Sequence, residues 1–466
     1  MSLPKVLLVT FESVPSPDGK AVRVESIVRA LQGRYDVDLL TPRVGDLPHI
    51  EIRWSARVLR VPLGRGHLHA QLEAFARAVR RQLQSEDYRL VHLFDPRVAG
   101  PACELAEERH FHIVFEPLGV PLLDLERVFP AALRNTTLVE RLRAAEAMCV
   151  SAAHAIVVST DITRAHVSAL GPGGERVHVV PGCVDLTATD PQRGLASGPH
   201  WPREGPEKPS AQHSDPSAHA QHNEALTQNR RGAQRGESGS PMGPGGANWS
   251  FLAPLGAKAP AASEATNVAR GPRNLVYVGE VAPWQGIGTL LRGLKLLRAG
   301  GKDVRLTLVG PGSVAHQEAT RTLAQRLEVA DAVTLLEPVP HTEIGACLRA
   351  AEVCVVPTEQ DERARRFGPF PLKLAEAFAA GVPCVASDVP AHLELAPPPA
   401  NLLRYFRHGD AEGLATQVAA LLASPGACAT TAARAQAFAR ESLGFTRFRD
   451  RLSSVYGATL GTPRVG

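Results

Sequence analysis

The feature that most constrains this chain is an alternation of short β-branched or Leu-rich runs with longer stretches of helical period. It occurs on both sides of a segment almost free of aliphatic runs. The first run, Val6-Leu7-Leu8-Val9, reads as a buried strand. Such alternation is the signature of βαβ units and of parallel sheets covered by helices. Strands are expected at 5–10, 36–41, 90–94, 112–115, 155–159 and 177–180, and again at 274–278, 304–309, 332–335, 353–356 and 383–386. Helices are expected at 20–32, 68–84, 99–108, 134–153 and 161–169 in the first half. In the second half they fall at 286–299, 315–328, 341–350, 371–380 and 411–423, with a further pair from 429 onward.

From Leu186 to about Pro272, Gly, Pro, Ala, Ser, Asn, Gln and His dominate, and such composition buries too little apolar surface to offset ordering entropy. The division expected is a Rossmann-like domain over 1–186, a disordered insert over 187–272 and a second Rossmann-like domain over 273–440. A last helix over 441–466 would pack back on the first domain. His213, His219 and His222 in the insert read as part of a solvated tract. Two doubly wound halves place ligands in the cleft between them, because such sheets bind at the carboxyl ends of their strands.

Composition excludes several classes. Lys plus Arg number 51 against 47 Asp plus Glu, a net charge of +4 on 466 residues, which argues against a nucleic-acid binder. The seven cysteines form no C-x-x-C pair, which fits a reduced, cytoplasmic compartment and no zinc knuckle. No apolar run approaches a membrane span, and the N-terminal one is too short for a signal peptide. Contact with the inner face of a membrane stays open. His67 and His69 lie near an amphipathic helix carrying Arg77, Arg80 and Arg81, which reads as either a solvated basic face or a seat for anionic lipid.

The most informative stretch is Gly368-Pro-Phe-Pro-Leu-Lys-Leu-Ala-Glu-Ala-Phe-Ala-Ala-Gly-Val-Pro-Cys-Val-Ala-Ser387, a loop, helix, turn and strand. Pro371 suits the first helical turn, and the free amides beyond it would attract phosphate oxygens. Glu376 shares a helix face with Leu372, so its carboxylate would hang beside a nucleotide anchored there and accept from ribose hydroxyls.

This stretch resembles the C-terminal signature of family 4 glycosyltransferases, retaining enzymes of the GT-B fold. Further segments agree. Tyr277-Val-Gly-Glu-Val-Ala-Pro-Trp-Gln-Gly286 resembles the first strand and loop of the donor domain, Arg305 to Gly312 its second strand and glycine turn, and Arg176 to Asp185 the domain-closing stretch. Thr10 to Leu31 resembles the glycine loop of the acceptor domain, and Phe115 to Pro130 an acceptor loop of one branch of the family. The resemblance implies transfer of a sugar from a nucleotide-diphosphate sugar to a glycan or lipid-linked acceptor, without metal or cofactor, and commonly in cell-envelope or exopolysaccharide synthesis. It implies donor contacts at Gly279, Glu280, Gln285, Gly310, Gly368, Pro371, Leu372, Lys373 and Glu376. Acceptor contacts fall at Lys20, Arg23 and His92. Glu116 is a proton acceptor or sugar contact with Asp124 and Glu126 downstream, and Gly19 lets the loop approach the diphosphate without a side chain.

Three positions depart from the family's pattern. The first carboxylate of its Glu-x7-Glu pair falls on Gly368, and its two diphosphate-neutralising cations fall on Glu280 and Gln285. Glu359, Asp361 and Glu362 are candidates for the lost acid, and Lys373, Arg363, Arg365 and Arg366 for the lost cations. Trp284 reads as either a base-stacking ring or a loop plug. A non-catalytic scaffold of a glycan pathway is the alternative reading.

Overall fold

The computed structural model describes residues 3–64, 68–128, 130–171, 174–186 and 272–461. The expected insert lies almost wholly outside the described residues, and so does His67. The first domain is built on β1 (Lys5–Val9), β2 (Asp36–Pro42), β3 (Ile50–Arg53), β4 (Ala56–Val61), β5 (Leu90–Leu93), β6 (His112–Phe115), β7 (Ala155–Val158) and β8 (Val177–Val179). They form one sheet in the order β3-β4-β2-β1-β5-β6-β7-β8, parallel except for the β3–β4 pair. The second domain contains β9 (Arg273–Val278), β10 (Val304–Val309), β11 (Val333–Leu336), β12 (Val353–Val356), β13 (Cys384–Ser387) and β14 (Arg404–Phe406). Their order is β11-β10-β9-β12-β13-β14, all parallel. In both sheets the order reverses beside the first strand of the domain, which opens a crevice at the carboxyl ends.

Burial explains these elements. Val6 and Leu8 on one face of β1 join Val24, Ile27 and Leu31 of the helix Gly19–Leu31, while Leu7 and Val9 on the other face join Phe75 and Val79 of the helix Leu68–Ser85. Each such side chain contributes about 1.5–3 kcal/mol when fully buried. The last helix, Phe445–Gly461, buries Phe448, Leu452, Val455 and Tyr456 in the core of the first domain. The chain therefore crosses between the domains twice, and the crossings are tied by a hydrogen bond from the Val184 amide to the Leu443 carbonyl (2.9 Å).

The structure adds elements that the periodicity does not predict. The β3–β4 ribbon is one, and Arg60 within it is buried, donating to Glu51 Oε2 (2.8 Å) and to the Val14 carbonyl. Edge strand β14 and the short helices Pro121–Val128, Glu362–Arg366 and Pro390–Leu395 are the others. On the basic face of Leu68–Ser85, Arg80 pairs with Glu104, and His69 and Arg77 with Glu73, so the protein's own carboxylates meet most of the charge expected to seek lipid. Among the described residues no helix is long and apolar enough to cross a membrane.

Candidate active site

On the donor side, glycines bring the ends of β9 and β10 into backbone contact. Gly279 and Gly310 sit at φ +139° and +145°, and a Cβ on Gly310 would lie 2.2 Å from the Gly279 carbonyl oxygen. The Lys373 side chain fills the space beside Gly279, where a Cβ would lie 2.1 Å from Lys373 Cε. Its Nζ is 3.2 Å from Gln285 Oε1 and 5.9 Å from the centre of the Tyr277 ring. Burial holds the Lys373 ammonium below its ordinary pKa, with Glu280, Glu376 and Asp18 working in the opposite direction. A cation so desolvated and thinly paired is suited to receive an anion. Glu280 instead accepts from the Trp284 indole (3.0 Å), so Trp284 is fixed to its own loop, with the Arg127 guanidinium over its ring at 5.2 Å.

Lys373 and Glu376 stand three apart on the helix Leu372–Ala380 and so share a face. Pro371 lies one position earlier than expected, as the N-cap, and makes no side-chain cap. The amides of Leu372 and Leu374 are already taken by the Phe370 and Pro371 carbonyls (2.9 and 3.1 Å). This corrects the expectation of a free amide cluster at Pro371 and Leu372; the lysine side chain is the stronger anion group at this end. Glu376 is 8 % exposed, and its Oε1 lies 2.6 Å from Nε2 of His341, in the turn after β11.

Gly368, expected on the donor side, is packed against the first domain. It sits at φ +52°, its carbonyl accepts from Thr160 Oγ1 (2.8 Å), and a Cβ would lie 2.7 Å from Ile162 Cδ1. Thr163 Oγ1 donates to the Phe367 carbonyl next to it (2.6 Å), and Glu394 accepts from the Asp161 amide (2.6 Å). The position that holds a carboxylate in the resembled family is here part of a joint between domains, where a side chain has no room. None of the three acids proposed to replace it is free. Glu359 accepts from Thr289 (2.7 Å), Asp361 caps the Glu362–Arg366 helix and pairs with Arg127, and Glu362 pairs with Arg365 and Arg366. Of the arginines proposed as cations, Arg363 alone crosses the cleft, to Asp124 Oδ1 (2.6 Å).

On the acceptor side, Asp18 caps the helix Gly19–Leu31 by accepting from the Lys20 amide (2.8 Å). A Cβ on Gly19 would meet nothing in the protein, so packing does not require glycine there. Lys20 Nζ lies 3.3 Å from Glu12 and 3.7 Å from Asp124, and Glu12 chiefly raises its pKa. These residues line a cleft with Thr10, Asp95 and Arg97.

Arg23, His92 and Glu116 stand behind that cleft rather than in it. Glu116 is 1 % exposed and His92 0 %. Glu116 Oε1 accepts from Arg23 Nε (2.6 Å), and Arg23 also donates to the Val180 and Pro181 carbonyls (2.8 and 3.0 Å). His92 Nδ1 meets the Tyr456 hydroxyl at 2.6 Å, and its Nε2 lies 3.5 Å from Glu116 Oε2. Burial pushes the Glu116 carboxyl up, but Arg23 and His92 bring it below its ordinary value; burial pushes His92 down. The expected base and two expected acceptor contacts thus form an interior tie between the first domain, the domain crossing and the last helix. The stretch Pro338 to His341 follows the third strand, where the resemblance implies contact with the base; missed in the sequence are the His341–Glu376 contact and the Asp124–Arg363 and Asp95–Arg97 pairs.

Two parallel-sheet domains facing a cleft, one carrying a lysine and a carboxylate on a helix after its fourth strand, define a GT-B architecture. Residues 18–183 match the family model "Glycosyl transferase 4-like domain" and residues 272–424 the model "Glycosyl transferases group 1", together more than half of the chain. The chain belongs to the GT-B glycosyltransferases of family 4 type. It is 34 % identical over 121 residues to a D-inositol 3-phosphate glycosyltransferase of Pseudarthrobacter chlorophenolicus, covering 26 % of this chain and 27 % of that protein. It is 31 % identical over 119 residues to a glycogen synthase of Mycobacterium tuberculosis, with 26 % and 27 % covered. The chain thus spans about a quarter of the length of these relatives. In fold it is similar to sucrose-phosphate synthase from Thermosynechococcus elongatus (TM-score 0.71, 18 % identity, 98 % of each chain). It is similar also to Anabaena Alr3699/HepE in complex with UDP and glucose (TM-score 0.66, 14 % identity, 98 % and 100 % covered).

Proposed function

We propose that the protein transfers a glycosyl unit, with retention, from a nucleoside-diphosphate sugar to a hydroxyl of a glycan or lipid-linked acceptor. The observation that carries this is the face shared by Lys373 and Glu376 beside the Gly279–Gly310 contact, opposite the loop that carries Asp18 and Gly19. Glu376 accepts from the ribose hydroxyls once His341 gives it up, and Lys373 meets the diphosphate. Arg363, reaching across from the donor domain, is the second cation. Together they take up the charge that develops on the leaving phosphate, which is where catalysis of this transfer needs stabilisation. Gly19 leaves the approach from the acceptor side open. With Glu116 sequestered by Arg23, the leaving phosphate itself takes the proton of the incoming hydroxyl, and no protein nucleophile is assigned. The UDP and UDP-glucose in structures of a fold neighbour make a uridine nucleotide the first donor to try. A role in cell-envelope or exopolysaccharide synthesis, on the cytoplasmic side of the membrane, follows from the family resemblance.

The absence of a carboxylate at 368 supports the second reading, a scaffold that binds without turnover. A thermal-shift screen against UDP, GDP, ADP and their sugars, with Glu376→Ala as control, separates the two when followed by an assay of donor hydrolysis. Stabilisation lost in the variant together with slow hydrolysis supports the enzyme; stabilisation without hydrolysis supports the scaffold. No stabilisation by any nucleotide overturns both assignments of the helix.

A further inference from the structure

β3 is the outer strand of the first sheet, and among the described residues no strand pairs with its open edge. The unpaired amides and carbonyls of such an edge are a template for another strand. Which residues supply them follows from the ladder. Ile50 stands opposite Leu59 and Arg53 opposite Ala56, and the Arg60 amide donates to the His49 carbonyl (2.7 Å). Hydrogen-bonded and non-hydrogen-bonded positions alternate in an antiparallel pair. His49, Glu51 and Arg53 therefore turn their backbone groups toward β4, and Ile50 and Ile52 turn theirs outward.

The same two residues carry the apolar surface. Ile50 and Ile52 are 63 % and 73 % exposed on one face of β3, while Glu51 and Arg53 are partly buried on the other. The remaining large apolar side chains exposed among the described residues, Leu3, Leu296 and Val314, stand singly. The edge is also held in place from behind. Arg60, 3 % exposed, donates to the Pro48 carbonyl (3.1 Å) and to Glu51 (2.8 Å), so β3 is fixed as a strand before any partner arrives.

The charges name the partner. When β3 meets its own copy antiparallel about a two-fold axis, centring on Glu51 or on Arg53 sets like charges directly opposite at a non-hydrogen-bonded position, where side chains are closest. Centring on Ile50 sets Ile52 against Pro48, which has no amide to give. Centring on Ile52 meets neither conflict. The two Ile52 residues then exchange both backbone hydrogen bonds, and Glu51 of each strand faces Arg53 of the other. The Glu51–Arg53 pair, now 3.5 Å apart along one strand, joins a network of four alternating charges.

We infer that β3 is an interaction surface for a second copy of this chain, the sheets of the two first domains joining edge to edge about Ile52. The contact is isologous, each copy giving and receiving the same groups, and so closes as a dimer. It is independent of the transferase reading.

Sedimentation velocity and disulfide trapping on the full-length protein test this. A dimer is expected, and Ile52→Lys, which sets two ammonium groups against each other on the axis, is expected to give a monomer of unchanged Tm. In the inferred register the two Ile52 Cα atoms stand about 5.5 Å apart, inside the ~4.4–6.8 Å that a disulfide spans, whereas the two Ile50 residues are offset by roughly 14 Å along the strands. Under diamide, Ile52→Cys is therefore expected to run as a covalent dimer on a non-reducing gel, and Ile50→Cys to cross-link no more than the unaltered protein. The trapping reads the contact even where Ile52→Lys lowers the Tm. A protein that stays monomeric at every concentration overturns the inference, as does a dimer that survives in Ile52→Lys. Trapping at Ile50→Cys equal to that at Ile52→Cys overturns it too.

Discussion

His341 Nε2 lies 2.6 Å from Glu376 Oε1, joining the turn after β11 to the helix that the donor nucleotide is proposed to meet. Burial pulls the imidazole's pKa down, but the hydrogen bond and charge of Glu376, with Glu25 of the Gly19–Leu31 helix and Asp185 of the domain crossing, leave it above its ordinary value. A raised folded pKa stabilises the fold fully below the unfolded value, about 6.5, and that contribution is lost as pH rises through the folded value. The same deprotonation weakens the hold on Glu376. UDP is therefore expected to bind more tightly at pH 8.5 than at pH 6, and His341→Gln to flatten the dependence. A wild-type affinity that is level across this range, measured by calorimetry, would contradict the proposed competition.

The joint around Gly368 predicts the outcome of restoring the family's carboxylate. A non-glycine residue in the left-handed region costs about 1–2 kcal/mol, and here the Cβ also meets Ile162. Gly368→Glu is expected to lower the Tm and to bring no gain in turnover. Gly368→Ala should cost less in an Ile162→Ala background than in the unaltered protein. A Gly368→Glu protein that is as stable as the parent and faster would show that the loop has room for the acid.

Glu116 tests interior tie against catalytic base. Removing one partner of a buried ion pair costs about 3–5 kcal/mol, and Glu116→Gln, which keeps a hydrogen-bond acceptor for Arg23, should fall at or below the lower end. Turnover per folded molecule is expected to stay within a few-fold of the parent. Chemical denaturation paired with donor hydrolysis checks this. Unchanged stability with lost kcat would return Glu116 to the chemistry.

The last helix should behave as part of the first domain. Tyr456→Phe leaves His92 Nδ1 without its 2.6 Å partner and is expected to cost about 1–2 kcal/mol, and Leu452→Ala about 2–5 kcal/mol. Hydrogen exchange should show the loss spread over β1 and the helix Gly19–Leu31, which pack against these side chains. Exchange that rises in the second domain alone would disprove the assignment.

His392 gives a pH effect of the opposite sign. Burial lowers its pKa to about 4, with its Nδ1 2.8 Å from the Ser387 carbonyl. With a folded value below the unfolded one, the unfolded chain binds the extra proton, so stability falls as pH drops from about 6.5 toward 4. Denaturant midpoints measured from pH 7 to pH 4 should fall less steeply in His392→Gln.

What could be read from the sequence was whatever depends on neighbours along the chain. Runs such as Val353–Val356 announced their strands because every position is buried, and the helical spacing of Lys373 and Glu376 placed both on one face. The β3–β4 ribbon escaped because Arg57 and Arg60 interrupt its apolar alternation, and only the packed molecule supplies Asp38 and Glu51 to meet them. The roles of the site residues divide along the same line. Nothing near Glu116 in the chain foretells Arg23 and His92 at its carboxylate, nothing near Gly368 foretells Ile162, and Asp124 meets Arg363 across 239 residues. Local spacing determines which side chains share a face. Which charges are neutralised, which carboxylates are withdrawn from solvent and which glycines have no room for a side chain depend on surfaces brought together only by packing, within the first domain for Glu116 and Arg60 and between the domains for Gly368 and Asp124.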